Sequence, residues 1–367
     1  IILRHSFFSS LINPYLLSNA SDDRIHIDLY NVAQAIYCFE PTSIAFHKDV
    51  TGKLILKQEL LAIANGIDPG DAHAALDDVK VLLKLAKLFE QNTPRIFFSA
   101  IASGNKKRAI NLMTKQLFFN YGEVKYKERL AVKRTPTFIC EDPSYSNNLV
   151  HFDLAYDPID YVFMTAEEIA PKINRKGSPF FTIKSNKSPV ILPSELCEKN
   201  GLSLDEASKR AEMVQDNQGF KENVLMACDI NSRKRPEWQN PDFSESQIYS
   251  HFIDNSDRLL SDAFLQTNNV EKRIEIMQQI NDPRLIDFAK RILASEHPNC
   301  EPKIIMNFQE FEAERLLTED EVPWRTLSDA RRSLEGLESK EKKVKLNPDI
   351  LSATKNYYNL VEEEIRK

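Results

Sequence analysis

Segments with the composition of β-strands occur only in the middle of this chain, and this distribution limits the folds open to it. The candidate strands are 136–140, 148–156, 160–164 and 179–184. Between and around them the pattern predicts helices at 105–117, 194–199, 204–215 and 220–229. Short strands bounded by turn residues and interrupted by helices are typical of a small, partly open barrel or sheet with helical insertions.

The segments on either side of this mixed region are helical. Before residue 92, apolar residues at helical spacing predict helices at 28–39, 56–66 and 72–90. After residue 255 they predict helices at 256–267, 270–280, 283–296, 308–317, 324–338 and 348–367. The polar stretch 231–246, with Pro236 and Pro241, is typical of a linker. A chain of 367 residues is long for one core, so we expect domains at 1–93, 94–245 and 246–367.

Composition excludes several classes of protein. No apolar run approaches the roughly 20 residues that a membrane helix needs. The five cysteines include no C-x-x-C pair, which argues against a disulfide framework or a zinc site and favours a reducing, cytoplasmic compartment. The nine glycines form neither G-x-G-x-x-G nor a P-loop, which argues against nucleotide-cofactor enzymes and kinases. A net charge of −6 gives no overall signal for nucleic acid, but it can conceal a local basic surface.

The stretch "DAHAALDDVK" (71–80) carries the strongest candidates for chemistry. His73 stands five residues before Asp78, at the start of the helix predicted over 72–90. A histidine there can take a proton from water, while a carboxylate can hold a divalent metal that acidifies this water. The same residues also fit a helix cap and a solvated face, and Asp77 is a rival for the carboxylate. We expect this helix to bury its apolar residues, which are Leu76, Val79, Leu82, Leu83, Ala86 and Phe89.

Residues 64–88, "ANGIDPGDAHAALDDVKVLLKLAKL", resemble the last motif of the DEDDh 3′→5′ exonucleases, and within them the exodeoxyribonuclease I family. Further segments resemble this family in the same order and at similar spacing; they are 13–18, 28–41, 92–98, 103–107, 147–157, 186–192 and 244–258. The resemblance implies an α/β, RNase H-like exonuclease domain within 1–93, an SH3-like α+β domain within 94–245 and an all-α domain within 246–367. Together these domains are expected to enclose one strand of DNA.

The resemblance also implies an activity, the magnesium-assisted release of mononucleotides from the 3′ end of single-stranded DNA in DNA repair and recombination. By position, His73 is expected to be the general base and Asp78 a Mg²⁺ ligand, since the spacing selects Asp78 over Asp77. The other metal-binding carboxylates of the family, an Asp-x-Glu pair and a later acidic residue, fall at positions before Ile1. The chain opens without methionine or a signal peptide. We therefore expect part of a longer protein, inactive by itself.

Other residues match positions where the family contacts DNA. Tyr15 is expected to stack on a base, and Lys57 stands where the family has an arginine. Four more polar residues match positions along the path of the strand: Lys106, Asn147, Asn186 and Lys187. Each of these residues is equally consistent with an ordinary surface position. As a group, the basic clusters at 106–108, 125–129 and 133–134 favour contact with phosphates.

Some residues depart from the family pattern. Phe181 replaces a lysine near the DNA, and a second set replaces residues associated with docking the acidic tail of single-strand DNA-binding protein: Glu40, Pro193 and Gln215. That protein is an expected partner whose docking pocket is altered here. We expect a monomer. The alternative function is a non-catalytic single-strand DNA-binding or adaptor protein, whose DNA binding would be indifferent to magnesium.

Overall fold

A computed structural model describes residues 2–18, 24–70, 74–125, 128–235, 242–338 and 347–366 of the chain. The chain divides into two compact units, one formed by Leu17–Trp238 and the other by Ile1–Leu16 together with Gln239–Lys367. The first residues of the chain therefore belong with the C-terminal helices, whereas the sequence pattern groups them with residues 17–93. The division into three domains stays a prediction. The linker prolines, Pro236 and Pro241, lie outside the described residues.

The described residues contain helices throughout and strands only between residues 47 and 184. In chain order the elements are α1 (Ile2–Ser9), α2 (Leu29–Phe39), β1 (His47–Lys48), β2 (Leu54–Ile55), α3 (Gln58–Ala64), α4 (Ala75–Asn92), α5 (Pro94–Ser103), α6 (Lys106–Lys115), β3 (Tyr121–Lys125), β4 (Leu130–Arg134), β5 (Pro136–Asp142), β6 (Tyr145–Asp153), α7 (Ala166–Ile169), β7 (Phe180–Lys184), α8 (Leu204–Asp216), α9 (Gln218–Ser232), α10 (Asn255–Gln266), α11 (Val270–Met277), α12 (Pro283–Glu296), α13 (Pro302–Leu317), α14 (Leu327–Glu338) and α15 (Pro348–Ile365). Short 3₁₀ helices cover Pro158–Asp160, Ala170–Lys172, Ser194–Asn200 and Ser244–Tyr249. The helices predicted from apolar spacing are present, and the one predicted at 194–199 is a 3₁₀ helix. Helices α1, α5 and α7 are additional to the prediction.

Strands β5, β6 and β7 form one antiparallel sheet in that order, and β3 and β4 form a separate antiparallel hairpin. In the sheet, His151 on the central strand stands opposite Phe138 on one side and Phe181 on the other. In the hairpin, Tyr121 is paired with Arg134. The strands predicted at 136–140, 148–156 and 179–184 are therefore confirmed, with bounds shifted by a few residues.

The strand predicted at 160–164 is wrong. Asp157 caps a 3₁₀ helix that begins at Pro158, because its side chain accepts a hydrogen bond from the Ile159 amide at 3.1 Å. Proline is well suited to the first position of such a turn, since its ring fixes φ and its missing N–H is not needed there. The Tyr161 ring then packs edge-on against Phe152, with ring centroids 5.5 Å apart. From this turn Val162 is buried in the core and Tyr161 packs against it, whereas Phe163 is exposed.

Three groups of buried side chains among the described residues support the unit Leu17–Trp238. Phe152 and Phe180, from β6 and β7, are fully buried together with residues of α8 and α9. A second group includes Ile36 on α2, Leu85 on α4 and Ile96 on α5. Burying one such side chain contributes about 1.5–3 kcal/mol, so these contacts fix the helices that carry the candidate site.

The buried face of α4 differs from the predicted one. Val81, Leu85 and Phe89 are buried. The residues expected to be buried are instead exposed, with exposed fractions of 67% for Leu76, 53% for Val79, 42% for Leu82 and 59% for Leu83. Of the large apolar residues that were predicted to be buried, only Phe89 is in the core. Ala86 is partly buried. Helical spacing defines two apolar stripes on α4, and α2, α3 and α5 pack against the narrower one.

All the secondary-structure elements among the described residues of the second unit are helices. Phe8 of α1 packs edge-on against Phe288 of α12, with ring centroids 5.0 Å apart, within a core formed by α10–α13. Arg284 is buried here and is held by the Asp282 carboxylate at 2.6 Å and by the Gln247 carbonyl at 2.6 Å. In neither unit does a described helix combine the length and the apolar character that crossing a membrane requires.

Candidate nucleic-acid interface

Asp78 lies in the first turn of α4, next to the start of α3. The side-chain amide of Gln58, the first residue of α3, donates a hydrogen bond to the Asp78 backbone carbonyl at 2.7 Å. The Asp78 side chain is exposed, and its carboxylate has no hydrogen-bond or ion-pair partner among the described residues. Lys57, next to Gln58, is also exposed, and its ammonium group likewise has no described partner. Two adjoining helix starts therefore present one carboxylate and one ammonium group to solvent.

Asp77, the alternative to Asp78 as the metal ligand, has an ion-pair partner. Its carboxylate forms an ion pair with Lys80 at 2.9 Å, one turn further along the same helix. Pairs at this spacing are common on exposed helix faces and contribute only a few tenths of a kcal/mol. The contact nevertheless occupies the Asp77 carboxylate, which supports Asp78 as the carboxylate available to a ligand.

A turn carrying Lys187 is fixed against α2. The side-chain amide of Asn31 donates hydrogen bonds to the backbone carbonyls of Lys187 and Ser188, at 2.8 and 3.1 Å. The Gln34 amide in turn donates to the Asn31 side-chain oxygen at 3.1 Å. Ser188 has φ of 47°, a left-handed conformation that L residues adopt rarely, and the two bonds from Asn31 help to hold it. Lys187 is exposed, and its ammonium group has no partner among the described residues.

Asn147 and Asn186 lie at the same end of the sheet as this turn. The Asn147 carbonyl accepts hydrogen bonds from the backbone amide and the hydroxyl of Ser185, at 2.9 and 3.3 Å. The Asn147 side-chain oxygen is buried and has no hydrogen-bond partner among the described residues. Asn186, next in the chain after Ser185, is exposed. The structure therefore brings Asn147, Asn186 and Lys187 together.

Lys106 is the first residue of α6, and the start of this helix is bonded to the segment preceding α2. Asn105 caps the helix by accepting hydrogen bonds from the backbone amides of Lys107 and Arg108. Its own amide donates to the Arg24 carbonyl at 3.2 Å, and the His26 amide donates to the Gly104 carbonyl at 3.0 Å. Lys106 is therefore held beside residues 24–26.

A cavity of about 530 Å³ lies between α2, α3 and α4. Its lining includes Leu61, Leu85 and Phe89, which are apolar. Its polar lining comes from His26, Asp28, Tyr30, Gln58 and Ser188. Two of these adjoin the residues described above, since Gln58 is bonded to Asp78 and Ser188 follows Lys187. The lining of the cavity is thus partly apolar and partly polar, and separate segments of the chain contribute to it.

The described residues do not assemble a metal site. Among them, no group of three histidine, cysteine, aspartate or glutamate side chains is placed to hold a metal ion together. Asp78 could supply one carboxylate ligand, and His73 lies outside the described residues. A magnesium ion usually takes six oxygen ligands, several of them waters and one or two of them carboxylates. The described part of the chain thus offers one element of such a site.

Tyr15 belongs to the other compact unit and is already engaged there. The Arg4 guanidinium lies over its ring, 5.0 Å from the centroid, and the Phe252 ring packs against it at 5.6 Å. Burial raises the pKa of its hydroxyl above the usual value. The structure therefore gives Tyr15 a partly buried ring with one cationic and one aromatic neighbour.

The residues that depart from the family pattern have definite structural partners. The Gln215 amide donates to the Phe138 carbonyl at 2.6 Å, which ties α8 to β5. The Pro193 carbonyl accepts from the Asn120 side chain at 2.6 Å, and Glu40 ends α2. Phe181, which the resemblance expects to replace a lysine, has the Arg134 guanidinium over its ring at 4.2 Å. A cation is therefore present at this position, although another strand supplies it.

No protein-family model matches the chain. Curated relatives do match it. The chain is 23% identical to the Exodeoxyribonuclease I of Escherichia coli (strain K12) over 327 residues, which are 81% of this chain and 67% of that protein. It is 23% identical to the Exodeoxyribonuclease I of Haemophilus influenzae over 308 residues, which are 77% of this chain and 62% of that protein. The chain therefore spans about two thirds of the length of these relatives.

Solved structures of Exonuclease I also match the chain. A structure of Exonuclease I from Methylocaldum szegediense matches 98% of this chain and 78% of its own, with a TM-score of 0.75 at 20% identity. A crystal structure of E. coli Exonuclease I in complex with a dA16 oligonucleotide matches 98% of this chain and 77% of its own, with a TM-score of 0.75 at 19% identity. The chain is related to exodeoxyribonuclease I. Its fold is the α/β exonuclease fold with added helices. An ExoI/SSB-Ct complex is a further match, with a TM-score of 0.72 at 20% identity over 98% of this chain and 76% of its own.

Two residues of the interface are absent from the set expected from the exodeoxyribonuclease I resemblance. The side-chain amides of Gln58 and Asn31 donate to backbone carbonyls, and these bonds hold Asp78 and the Lys187 turn in position. The sequence does contain one indication of the hydrogen bonds made by Asn31. Gln34 is a polar residue within the apolar face of α2, and buried polar groups are nearly always hydrogen-bonded. A buried glutamine therefore indicates a network nearby.

Proposed function

We propose that the chain is part of a 3′→5′ exonuclease that hydrolyses single-stranded DNA to mononucleotides, with a role in DNA repair and recombination. The relationship to exodeoxyribonuclease I and the shared fold support this proposal. One observation carries it furthest. Three lysines have no partner among the described residues. Lys57 and Lys187 adjoin residues that line the cavity between α2, α3 and α4, and Lys106 begins α6, whose cap is bonded to Arg24, two residues before the lining residue His26. Cations that are free of carboxylate partners are what a phosphate backbone requires.

The proposed roles follow from the chemistry of each group. The lysines act as point charges toward phosphates, and the amides of Asn147 and Asn186 add hydrogen bonds, so the strand is held in register without its bases being read. His73 is proposed to take the proton from the attacking water. Asp78 is proposed to supply one of the carboxylates for Mg²⁺. Tyr15, at a separate point of the chain, is proposed to stack on a base.

The 367 residues by themselves are proposed to bind single-stranded DNA without hydrolysing it. Among the described residues only Asp78 is proposed as a metal carboxylate, and one carboxylate holds a two-metal site poorly. The wider architecture belongs to the same proposal: an SH3-like domain within 94–245, an all-α domain within 246–367, a monomer, and single-strand DNA-binding protein as a partner. The alternative is a non-catalytic single-strand DNA-binding or adaptor protein.

Paired variants test the binding surface. We expect Lys57→Ala combined with Lys187→Ala to weaken binding of single-stranded oligonucleotides of any sequence. On single strands each lost phosphate contact lowers the magnitude of the slope of log affinity against log salt concentration by about 0.7. The slope of the double variant should therefore be smaller in magnitude by about 1.4. Fluorescence anisotropy at several salt concentrations measures both quantities.

A matched control removes the same charge elsewhere in the unit. Lys209 and Arg233 are exposed and pair with carboxylates one turn away along their own helices, so Lys209→Ala with Arg233→Ala should leave the slope unchanged. Equal slopes in the wild type and both double variants would refute the assigned surface.

A requirement for magnesium distinguishes the exonuclease from the adaptor protein. In a protein that also contains the upstream carboxylates, the exonuclease requires the ion to release nucleotides, whereas an adaptor binds DNA equally with and without it.

A further inference from the structure

A second cavity, of about 550 Å³, lies between the β3–β4 hairpin and the loop 174–178. It shares no lining residue with the cavity between α2, α3 and α4. Five of its lining side chains are cationic: Lys125, Lys133, Arg134, Arg175 and Lys176. Two are carboxylates, Glu128 and Asp153. An excess of positive charge in a concave, partly desolvated site concentrates anions there.

The existing ion pairs leave part of this charge uncompensated. Lys125 is paired with Glu123 at 2.6 Å, and Lys176 is loosely paired with Glu128 at 3.9 Å. The Lys133 ammonium donates to the Lys199 backbone carbonyl at 2.7 Å, which provides a dipole but no negative charge. Arg175 is exposed, and its guanidinium has no ion-pair partner among the described residues.

Arg134 is the most constrained cation of the cavity. Its side chain is only 12% exposed, and its guanidinium lies over the Phe181 ring. Its contacts with Asp153 and Glu123 are long, at 3.4 and 3.8 Å, and its Nε–H is buried without a hydrogen-bond partner among the described residues. Burial raises the pKa of the Asp153 carboxyl, although Arg134 opposes this shift. A guanidinium stacked on a ring is pre-oriented and can still donate to an oxyanion.

The loop that carries Arg175 and Lys176 is fixed to the sheet. The side-chain oxygen of Asn174 accepts from the Thr182 amide at 2.9 Å, and its amide donates to the Thr182 hydroxyl at 3.1 Å. Asn174 has φ of 61°, a conformation that asparagine tolerates better than most residues. The two cations are therefore presented from a held loop, which lowers the entropy lost when a ligand binds.

We propose that this cavity is a phosphate-binding site, separate from the cavity between α2, α3 and α4, in which the guanidinium and ammonium groups of Arg134, Arg175 and Lys176 hold the phosphate of a nucleotide. The ligand is either a phosphodiester of the DNA strand or the phosphate of a free mononucleotide. Both offer the same anionic oxygens to the same donors. The choice of nucleotides as the source of phosphate rests on the proposed function.

The test uses Arg175→Ala combined with Lys176→Ala, because both side chains are exposed and their loss leaves the core intact. Lys209→Ala with Arg233→Ala again removes equal charge at exposed helix positions. Inorganic phosphate and dAMP are titrated by calorimetry, and a single-stranded oligonucleotide by anisotropy. We expect the Arg175/Lys176 variant to bind at least one of these probes about tenfold more weakly than wild type and control, as expected for lost charge-assisted hydrogen bonds.

The pattern among the probes identifies the source of the phosphate. Weaker binding of dAMP with unchanged oligonucleotide binding supports a mononucleotide site, and weaker binding of the oligonucleotide supports a contact with the DNA backbone. The proposal is overturned if no probe binds the wild type, or if all three bind the Arg175/Lys176 variant as tightly as the control. If all three probes bind the Arg175/Lys176 variant as tightly as the control, and oligonucleotide binding still responds to loss of Lys57 and Lys187, the proposed function stands while the phosphate site fails.

Discussion

His151 should make the sheet of the unit Leu17–Trp238 sensitive to mild acid. The imidazole is fully buried on β6 and surrounded by aromatic rings, with Phe119 at 5.4 Å and both Phe138 and Phe181 at 5.9 Å between centroids. Nδ1 donates to the Leu149 carbonyl at 2.9 Å, while Nε2 has no hydrogen-bond partner among the described residues. Burial lowers the pKa of His151 from 6.5 to about 3, so the ring stays neutral in the native state.

The sign of the effect follows from proton uptake. Below pH 6.5 the unfolded chain binds a proton at this histidine and the native state does not, so stability falls as the pH is lowered toward the native pKa of about 3. Between pH 7 and pH 5 the unfolded-state titration alone removes about 2 kcal/mol. Burial raises the pKa of Asp153, which acts in the opposite direction in acid. That contribution is common to the wild type and to variants at His151.

The measurement compares His151→Leu with the wild type. Hydrogen exchange followed by mass spectrometry on peptides from β5–β7 gives the local free energy of opening in a chain of two units, where one global value is not defined. We expect the variant to lose about 2 kcal/mol less than the wild type between pH 7 and pH 5. His47→Leu, at an exposed position on β1, should keep the wild-type dependence. Equal pH dependence in the wild type and the His151 variant would refute the reasoning.

Two further predictions concern helices of the same unit. On α4, Leu85 is 2% exposed and Leu83 is 59% exposed. Leu85→Ala should therefore cost about 2–5 kcal/mol of unfolding free energy, and Leu83→Ala less than about 0.5 kcal/mol. The same exchange experiment on peptides from α4 measures both costs. Similar costs at the two positions would show that the buried face has been misassigned. Thr165 and Glu168 form a capping box at α7. Thr165→Ala should therefore lower the local free energy of opening at α7 by about 1 kcal/mol in the same exchange experiment, while Thr165→Ser keeps most of it. A neutral Thr165→Ala would contradict the cap.

Helices with strong apolar spacing could be predicted from the sequence, but the side on which each one packs could not. α4 has two apolar stripes, and only neighbours distant in sequence decide that Val81 and Leu85 are buried while Leu76 and Leu83 are exposed. The β3–β4 hairpin escaped prediction because its strands are rich in charge. A tertiary contact helps to fix it, since the Gln34 side-chain oxygen accepts from the Val124 amide at 2.7 Å.

The candidate site was predictable only in part. Motif spacing favours Asp78 over Asp77, and the ion pair between Asp77 and Lys80 supports the same choice for an independent reason. The resemblance supplied Lys57, Lys106 and Lys187 as separate positions along the chain. The position of Lys187 next to the cavity between α2, α3 and α4 depends on a hydrogen bond between residues far apart in sequence, from Asn31 to the Lys187 carbonyl. No local pattern encodes such a bond.

Preference for single-stranded over duplex DNA tests the central claim most directly. The measurement is an anisotropy titration of one fluorescent oligonucleotide, alone and annealed to its complement, with this 367-residue chain in the absence of magnesium. The account predicts tighter binding of the single strand, because Tyr15 is proposed to stack on an unpaired base. It also predicts an affinity that falls steeply with added salt and a complex that forms without metal, because Lys57, Lys106 and Lys187 act on phosphates without a bound ion. Equal affinity for the two forms, or no binding of the single strand at low salt, would contradict it.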